Sequence, residues 1–326
     1  MARGLRIEYP GAVYHIINRG NYRRDVFLSD DCCQSFENTL FDACRKYDWI
    51  LHAYCLMSNH YHLAVETAGG NLSVGMQWLQ STFANRFNKL HKVNGHLFQG
   101  RFKSLIVDKD EYLGPLLHYI HLNPVRAKLA ELADLPKYRW SSLWYLNNKR
   151  ERPDGLNVSR CLYYAGDLAD TVAGRGKYFE YLKWLLEDDQ QQSRRKFEDM
   201  SRGWALGTKD FKKQLLISHT GNNPKNNWEG SDLEEANEIH CENIAERCLK
   251  ALCKTSKDIR LDKKSALWKV GIAYYMKQNT AVSSVWLSNY MNMGIPQGLS
   301  KNVSKFKEDK RFEEKWFRQM IIRITA

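Results

Sequence analysis

Residues Trp49 to Glu66 read WILHAYCLMSNHYHLAVE. Two runs rich in apolar and aromatic residues, Trp49 to Met57 and His60 to Glu66, flank Ser58-Asn59, a pattern that predicts an antiparallel hairpin with a tight turn. Outward from it, Ala12 to Asn18 (AVYHIIN) reads as a strand closed by the turn-prone Arg19-Gly20-Asn21, and Phe102 to Val107 as another. Helices are expected between them. One is capped by Asp30 or Asp31 and runs to about Tyr47, with Phe36, Leu40 and Cys44 at steps of four; a second covers Leu72 to about Lys92; a third is capped by Asp108 and stops near Asn123, ahead of Pro124. Strands and helices mix without the alternation of parallel βαβ units. Residues 1–150 therefore predict an α+β domain, an antiparallel sheet with packed helices.

The chain has 326 residues, long enough for two or three domains, and 43% hydrophobic with 12% aromatic residues excludes a disordered chain. Its 49 Lys and Arg against 37 Asp and Glu leave +12, unevenly spread. Residues 1–150 carry 19 − 13 = +6, residues 151–249 carry 14 − 18 = −4, and residues 250–326 carry 16 − 6 = +10. Two basic blocks around an acidic spacer point to a polyanion, most simply nucleic acid. No run reaches the 18 or so apolar residues of a membrane span, and Arg3, Arg6 and Glu8 stand where a signal peptide has its apolar core, so a cytoplasmic protein without a membrane partner is expected. Eight cysteines without a C-x-x-C pair read as reduced core thiols. His240, Cys241, Cys248 and Cys253 fit no common zinc spacing and read as small buried groups on a helix.

The sharpest local signal is His60-Tyr61-His62. Side chains alternate along a strand, so His60 and His62 project from one face about 6.5 to 7 Å apart, and Tyr61 from the other. Such a pair suits one cation, and equally a solvent-facing or hydrogen-bonded pair. Tyr119 and Asn123 stand one helical turn apart on one face, with His121 turned away. Read singly, Tyr119 suits a core aromatic and Asn123 a helix terminator.

Taken together, these residues resemble the single-tyrosine His-hydrophobic-His transposases, specifically their REP-associated branch. YHIINRGNYRRDVF (Tyr14 to Phe27) is similar to that family's first strand and its Arg-Gly-Asn turn, CLMSNHYHLAVE (Cys55 to Glu66) to its metal hairpin, GHLFQGRFKS (Gly95 to Ser104) to the segment before its catalytic helix, and HYIHLNPVRAKLA (His118 to Ala130) to that helix and its exit. RGWALGTKDFKKQL (Arg202 to Leu215) is similar to a stretch of longer members. The resemblance implies a ferredoxin-like catalytic domain, Tyr119 as nucleophile, and His60, His62 and Asn123 as ligands of Mg²⁺ or Mn²⁺. A phenol is a poor nucleophile at neutral pH until its proton leaves or a cation offsets the charge. The implied activity is that of a DNA transposase and nickase that cleaves and rejoins hairpin-forming single-stranded DNA through a 5′-phosphotyrosine. Arg19, Arg23, Arg24, Arg101, Lys103 and Arg126, interleaved with Tyr22, Phe98 and Phe102, suit phosphate contacts beside stacking platforms.

Beyond this domain, residues 151–240 read as a helical extension, with helices around Lys177 to Glu187 and Lys209 to Ser218 and linkers at Gln190 to Ser193 and Gly221 to Gly230. Residues 241–326 read as an all-α domain. Helices over Lys264 to Lys277, Ser283 to Met291 and Gln297 to Lys307, with Met293-Gly294-Ile295-Pro296 as a turn, have the pattern of a helix-turn-helix whose Lys301, Lys305 and Lys307 would face duplex DNA. A monomer or homodimer is expected. The alternative reading is a noncatalytic, domesticated DNA-binding protein that regulates repeats or transcription.

Overall fold

The computed structural model describes residues 6–192, 199–219 and 230–325. The chain forms two compact units, one of residues 6–208 and one from residue 209 onward. Residues 151–208, part of the expected helical extension, belong to the same unit as the sheet.

In the first unit, β1 (Ala12–Arg19), α1 (Asp30–Tyr47), β2 (Trp49–Leu56), β3 (His60–Thr67), α2 (Leu72–His91), β4 (Lys103–Val107) and α3 (Leu113–Arg126) follow in order. Further on come α4 (Val172–Gln192) and the two-residue β5 (Ala205–Leu206). The strand order β2-β3-β1-β4 with two helical crossovers is the ferredoxin-like arrangement. These four strands pair antiparallel, but β5 joins β4 in parallel, so the sheet is mixed rather than wholly antiparallel. That departure comes from a distant segment, invisible to local alternation, returning to the open edge of β4.

Register decides which side chains meet. Arg19 pairs with His60, Ile17 with His62 and His15 with Ala64, while His15 pairs with Leu105 and Ile17 with Lys103 across the other edge of β1. Paired residues share a face, so His15, His60, His62 and Lys103 all belong to one side of the sheet, and a one-residue slip would move His60 and His62 to the other. The opposite side buries Tyr61 among Phe27, Phe36 and Phe98. Phe27, Phe36 and Phe98 also pack on Phe83 of α2, so these rings fix α1 and α2 to that side.

Helix α1 is capped by Ser29, which accepts a hydrogen bond from the Cys32 amide, rather than by Asp30 or Asp31; these lie in the first turn, where their charge still suits the helix N-terminus. Helix α3 departs from expectation at both ends. The Asp108 carboxylate accepts from the Asp110 amide, capping a preceding turn instead of the helix, which begins at Leu113. Its far end passes through Pro124 to Arg126. Proline there removes one helical hydrogen bond in the final turn, and the carbonyls of Asn123 and Pro124 are still used by Ala127 and Leu129. Asn123 therefore sits within regular helix, one turn beyond Tyr119.

The second unit is helical: α5 (Lys209–His219), α6 (Gly230–Ala251), α7 (Ser256–Leu261), α8 (Leu267–Asn279), α9 (Ser284–Tyr290), α10 (Pro296–Glu308) and α11 (Lys315–Thr325). Cys241 and Cys248 on α6 are buried, and with Ile272, Met276, Leu287, Met291, Leu299 and Phe317 they form one core. Asn292 and Gly294 take positive φ between α9 and α10, where Pro296 opens the next helix. Buried Lys269 donates to the carbonyls of Ile259 and Asp262 at 2.7 and 2.9 Å, satisfying the C-terminal end of α7. Of the expected linkers, residues 190–192 end α4, while 193 and 221–229 lie outside the described residues. No described helix is long and apolar enough to cross a membrane.

Candidate active site

The hairpin and α3 bring His60, His62 and Tyr119 together. The His60 and His62 rings lie with centroids 5.1 Å apart, and the Tyr119 ring stands edge-on to His62 at 5.6 Å. Tyr119 is 8% exposed, and its hydroxyl lies 3.0 Å from Ser201 Oγ. The Arg126 guanidinium is 6.0 Å from the centre of the same ring. Asn123 is buried, and its Nδ2 makes no hydrogen bond. His121, as expected, turns away and bonds Tyr178 and Ser142.

Two further groups join the site. His15 Nε2 lies 2.9 Å from His62 Nδ1, and its Nδ1 lies 2.7 Å from the Met200 carbonyl oxygen. Neither His15 nor the Met200-Ser201 pair stands out in the sequence. His15 lies within the first strand, and its parity with Ile17, the partner of His62, is the available signal once the register is known. Burial pushes the His15 pKa down to about 4. Burial, then the field of Arg19, takes His60 to about 4; burial, then His15 and His60, holds His62 well below the usual histidine range. All three rings are therefore neutral near pH 7. His60 Nδ1 contacts Asn59 Oδ1 at 2.8 Å, so its Nε2 is the nitrogen left over.

The expected DNA-contacting residues divide. Arg19 is half-buried beside His60, and Arg23, Arg24 and Arg101 are exposed. Tyr22 and Arg23 hold left-handed backbone at φ 53° and 59°, which presents Tyr22 at 92% exposure. Lys103 is exposed and donates to the Ser201 carbonyl at 3.0 Å. Phe98 and Phe102 are buried, Phe98 against Phe83 and Phe102 under the Arg6 guanidinium at 3.7 Å, so neither ring offers a stacking platform and Tyr22 alone of the three does. Lys301, Lys305 and Lys307 are exposed on α10 of the second unit.

Residues 9–123, which hold the sheet, the histidine pair and the tyrosine helix, match the family model described as IS200-like transposase. The match spans 123 − 9 + 1 = 115 residues, about a third of the 326 in the chain, and supports a DNA transposase as the class that this domain resembles. A solved structure described as the REP-associated tyrosine transposase bound to a REP hairpin is also similar, at 15% identity and a TM-score of 0.39, covering 48% of this chain and 93% of that one. No curated protein matches the chain.

Proposed function

We propose that the chain is a metal-dependent DNA transposase that cleaves and rejoins hairpin-forming single-stranded DNA through a 5′-phosphotyrosine on Tyr119. The observation that carries this reading is the convergence of His60, His62 and Tyr119 from a strand and a helix, beside exposed arginines on the adjoining turn. In the step proposed, Tyr119 Oη gives up its proton and attacks the scissile phosphorus, a P–O bond to the tyrosine forms, the bond to the 3′ oxygen breaks, and that oxygen takes up one proton and leaves as a 3′-hydroxyl, so that no net proton is gained or lost. One phosphodiester replaces another, so a second 3′-hydroxyl can reverse the step and join strands. Ser201 Oγ orients the phenol, and Arg126 places positive charge over its ring.

The residues fit a metal by their chemistry. His60 Nδ1 is engaged by Asn59 and His62 Nδ1 by His15, which leaves both Nε2 atoms, and the side-chain oxygen of buried Asn123 would be the third ligand. Among the described residues no group of three or more His, Cys, Asp or Glu side chains could hold a metal ion, so two imidazoles and one amide are the proposed set, as suits Mg²⁺ or Mn²⁺ completed by water. Bound there, the cation supplies Lewis acidity toward a phosphate oxygen.

Arg19, Arg23, Arg24, Arg101, Lys103 and Arg126 are assigned to backbone phosphates and Tyr22 to base stacking. Helices α9 and α10 are assigned to duplex DNA as a helix-turn-helix, through Lys301, Lys305 and Lys307. A tyrosine that must reach a backbone phosphate favours unpaired nucleotides, since extracting a base from a duplex costs about a few kcal/mol. The test is incubation of the full chain and Mn²⁺ with a labelled hairpin bearing an unpaired flank, or with blunt duplex, followed by a denaturing gel. A covalent protein–DNA band with the hairpin and little with duplex is expected; equal cleavage of duplex contradicts the single-strand assignment, and binding without any covalent band favours the noncatalytic reading.

A further inference from the structure

Proton positions along the histidine chain follow from one fixed point. A carbonyl oxygen only accepts, so the 2.7 Å contact to Met200 requires the proton on His15 Nδ1. A neutral imidazole carries one such proton, which makes His15 Nε2 an acceptor. The 2.9 Å contact then requires a proton on His62 Nδ1, and the lone pair of His62 is left on Nε2. We propose that His15 is a positioning residue that carries the orientation of the Met200 carbonyl to His62, fixes His62 as its Nδ1–H tautomer, and so presents His62 Nε2 to a divalent cation. This rests on the metal reading of His60 and His62 above.

The surroundings suit such a role. The His15 and His62 rings stack with centroids 5.2 Å apart and planes 22° apart, so His15 sets the plane of the ring as well as its proton. Both residues are almost wholly buried, and no water is needed to complete the chain of bonds. Met200 belongs to the turn Asp199–Ser201, which is held by Lys103 and by the pairing of Ala205–Leu206 with β4. The same turn supplies Ser201 to Tyr119, so one turn reaches the histidine and the phenol together. With no acceptor at position 15, His62 is released to put its proton on Nε2, where the cation has to bind.

Two variants separate the acceptor from the packing. His15→Gln keeps an acceptor near the place of Nε2, and His15→Phe keeps a ring but neither nitrogen. The tautomer of His62 is read in the metal-free full chain by long-range ¹⁵N–¹H correlation on ¹⁵N-histidine-labelled protein, and Mn²⁺ affinity by calorimetry. Wild type should show the Nδ1–H form. His15→Phe should shift His62 toward Nε2–H and weaken Mn²⁺ binding roughly 10- to 100-fold, and His15→Gln should restore both to within a few fold. An Nε2–H tautomer in wild type overturns the relay, even where His15→Phe does not fold. So does a folded His15→Phe with unchanged tautomer and Mn²⁺ affinity. Wild type that shows the Nδ1–H form yet binds no Mn²⁺ supports the relay and removes the metal reading instead.

Discussion

Helix α3 separates two histidine clusters that look alike by burial and charge. On one side His15 and His62 meet Tyr119, with His60 against His62; on the other His118 and His121 meet Tyr178. Burial lowers both sets, His15 and His60 to about 4 on the first side, His118 to about 4 and His121 to about 3 on the second. A depressed histidine pKa thus reports burial and by itself says nothing of chemistry. The difference lies in how the nitrogens are used. His121 has both engaged, by Tyr178 Oη at 2.8 Å and Ser142 Oγ at 2.9 Å, which ties α3 to its neighbours. His60 and His62 each spend Nδ1 on the protein and keep Nε2 for another group, with the Tyr119 ring edge-on to His62. His121 is closed and holds the helix, while His118, bonded through Nδ1 to Tyr178, leaves Nε2 buried without a partner; the His60–His62 pair is left open at two nitrogens.

The largest effect should come from the open side. Tyr119→Phe is expected to reduce cleavage and covalent adduct to the uncatalysed background while hairpin affinity stays within a few fold, because only the attacking oxygen is removed. Adduct formation by this variant would end the assignment of Tyr119. The His121 side should respond in stability instead: His121→Ala removes two buried hydrogen bonds, although Tyr178 keeps His118 and Ser142 keeps Tyr54, and is expected to cost about 1–3 kcal/mol in denaturant unfolding, with cleavage per folded molecule within a few fold. A stable His121→Ala protein without cleavage activity would break the contrast between the clusters.

Smaller effects sharpen it. Replacing Lys301, Lys305 and Lys307 with Gln should flatten the salt dependence of duplex binding by about one unit of slope for each phosphate no longer neutralised, and leave hairpin cleavage at saturating DNA unchanged. An unaltered slope would assign α10 to packing or to another partner. The smallest change concerns Glu66, on the same strand as the open pair. The hydrogen bond from His52, then the Lys109 ammonium, holds its carboxyl down from 4.5 to about 2. A carboxylate lowered in the folded state stabilises fully above its unfolded pKa, so this contribution is present above about pH 4.5 and fades as pH falls from there toward 2. Glu66→Gln should lessen the pH dependence of Tm in that window; equal dependence in the two proteins would remove Glu66 as its source.

The elements that position Tyr119, His60 and His62 are legible because each is encoded locally. Alternation gives the strand its two faces, and a step of four gives the helix face shared by Tyr119 and Asn123. The parts that escape depend on residues far apart in the chain. His15 reaches His62 across 47 positions and Met200 across 185, and Ser201 reaches Tyr119 across 82. No periodicity encodes such meetings; they follow from strand register and from the return of β5 to the sheet edge. Pro124 reads as a stop because proline disfavours the helical state before it, yet giving up a single hydrogen bond in a final turn is compatible with helix. The stacking role of Phe98 and Phe102 fails for a related reason: aromatic interleaving alone does not tell a ring in the core from one in solvent.

The atom to which DNA becomes attached is open to direct measurement. Wild-type protein incubated with Mn²⁺ and the flanked hairpin, digested with protease and analysed by mass spectrometry, should yield the peptide containing Tyr119 with its phenolic oxygen joined to a 5′-phosphonucleotide. A covalent nucleotide on any other residue, Tyr112 or Tyr138 included, would contradict the geometry argued from His60, His62 and α3, as would a strand cut with no protein–DNA bond.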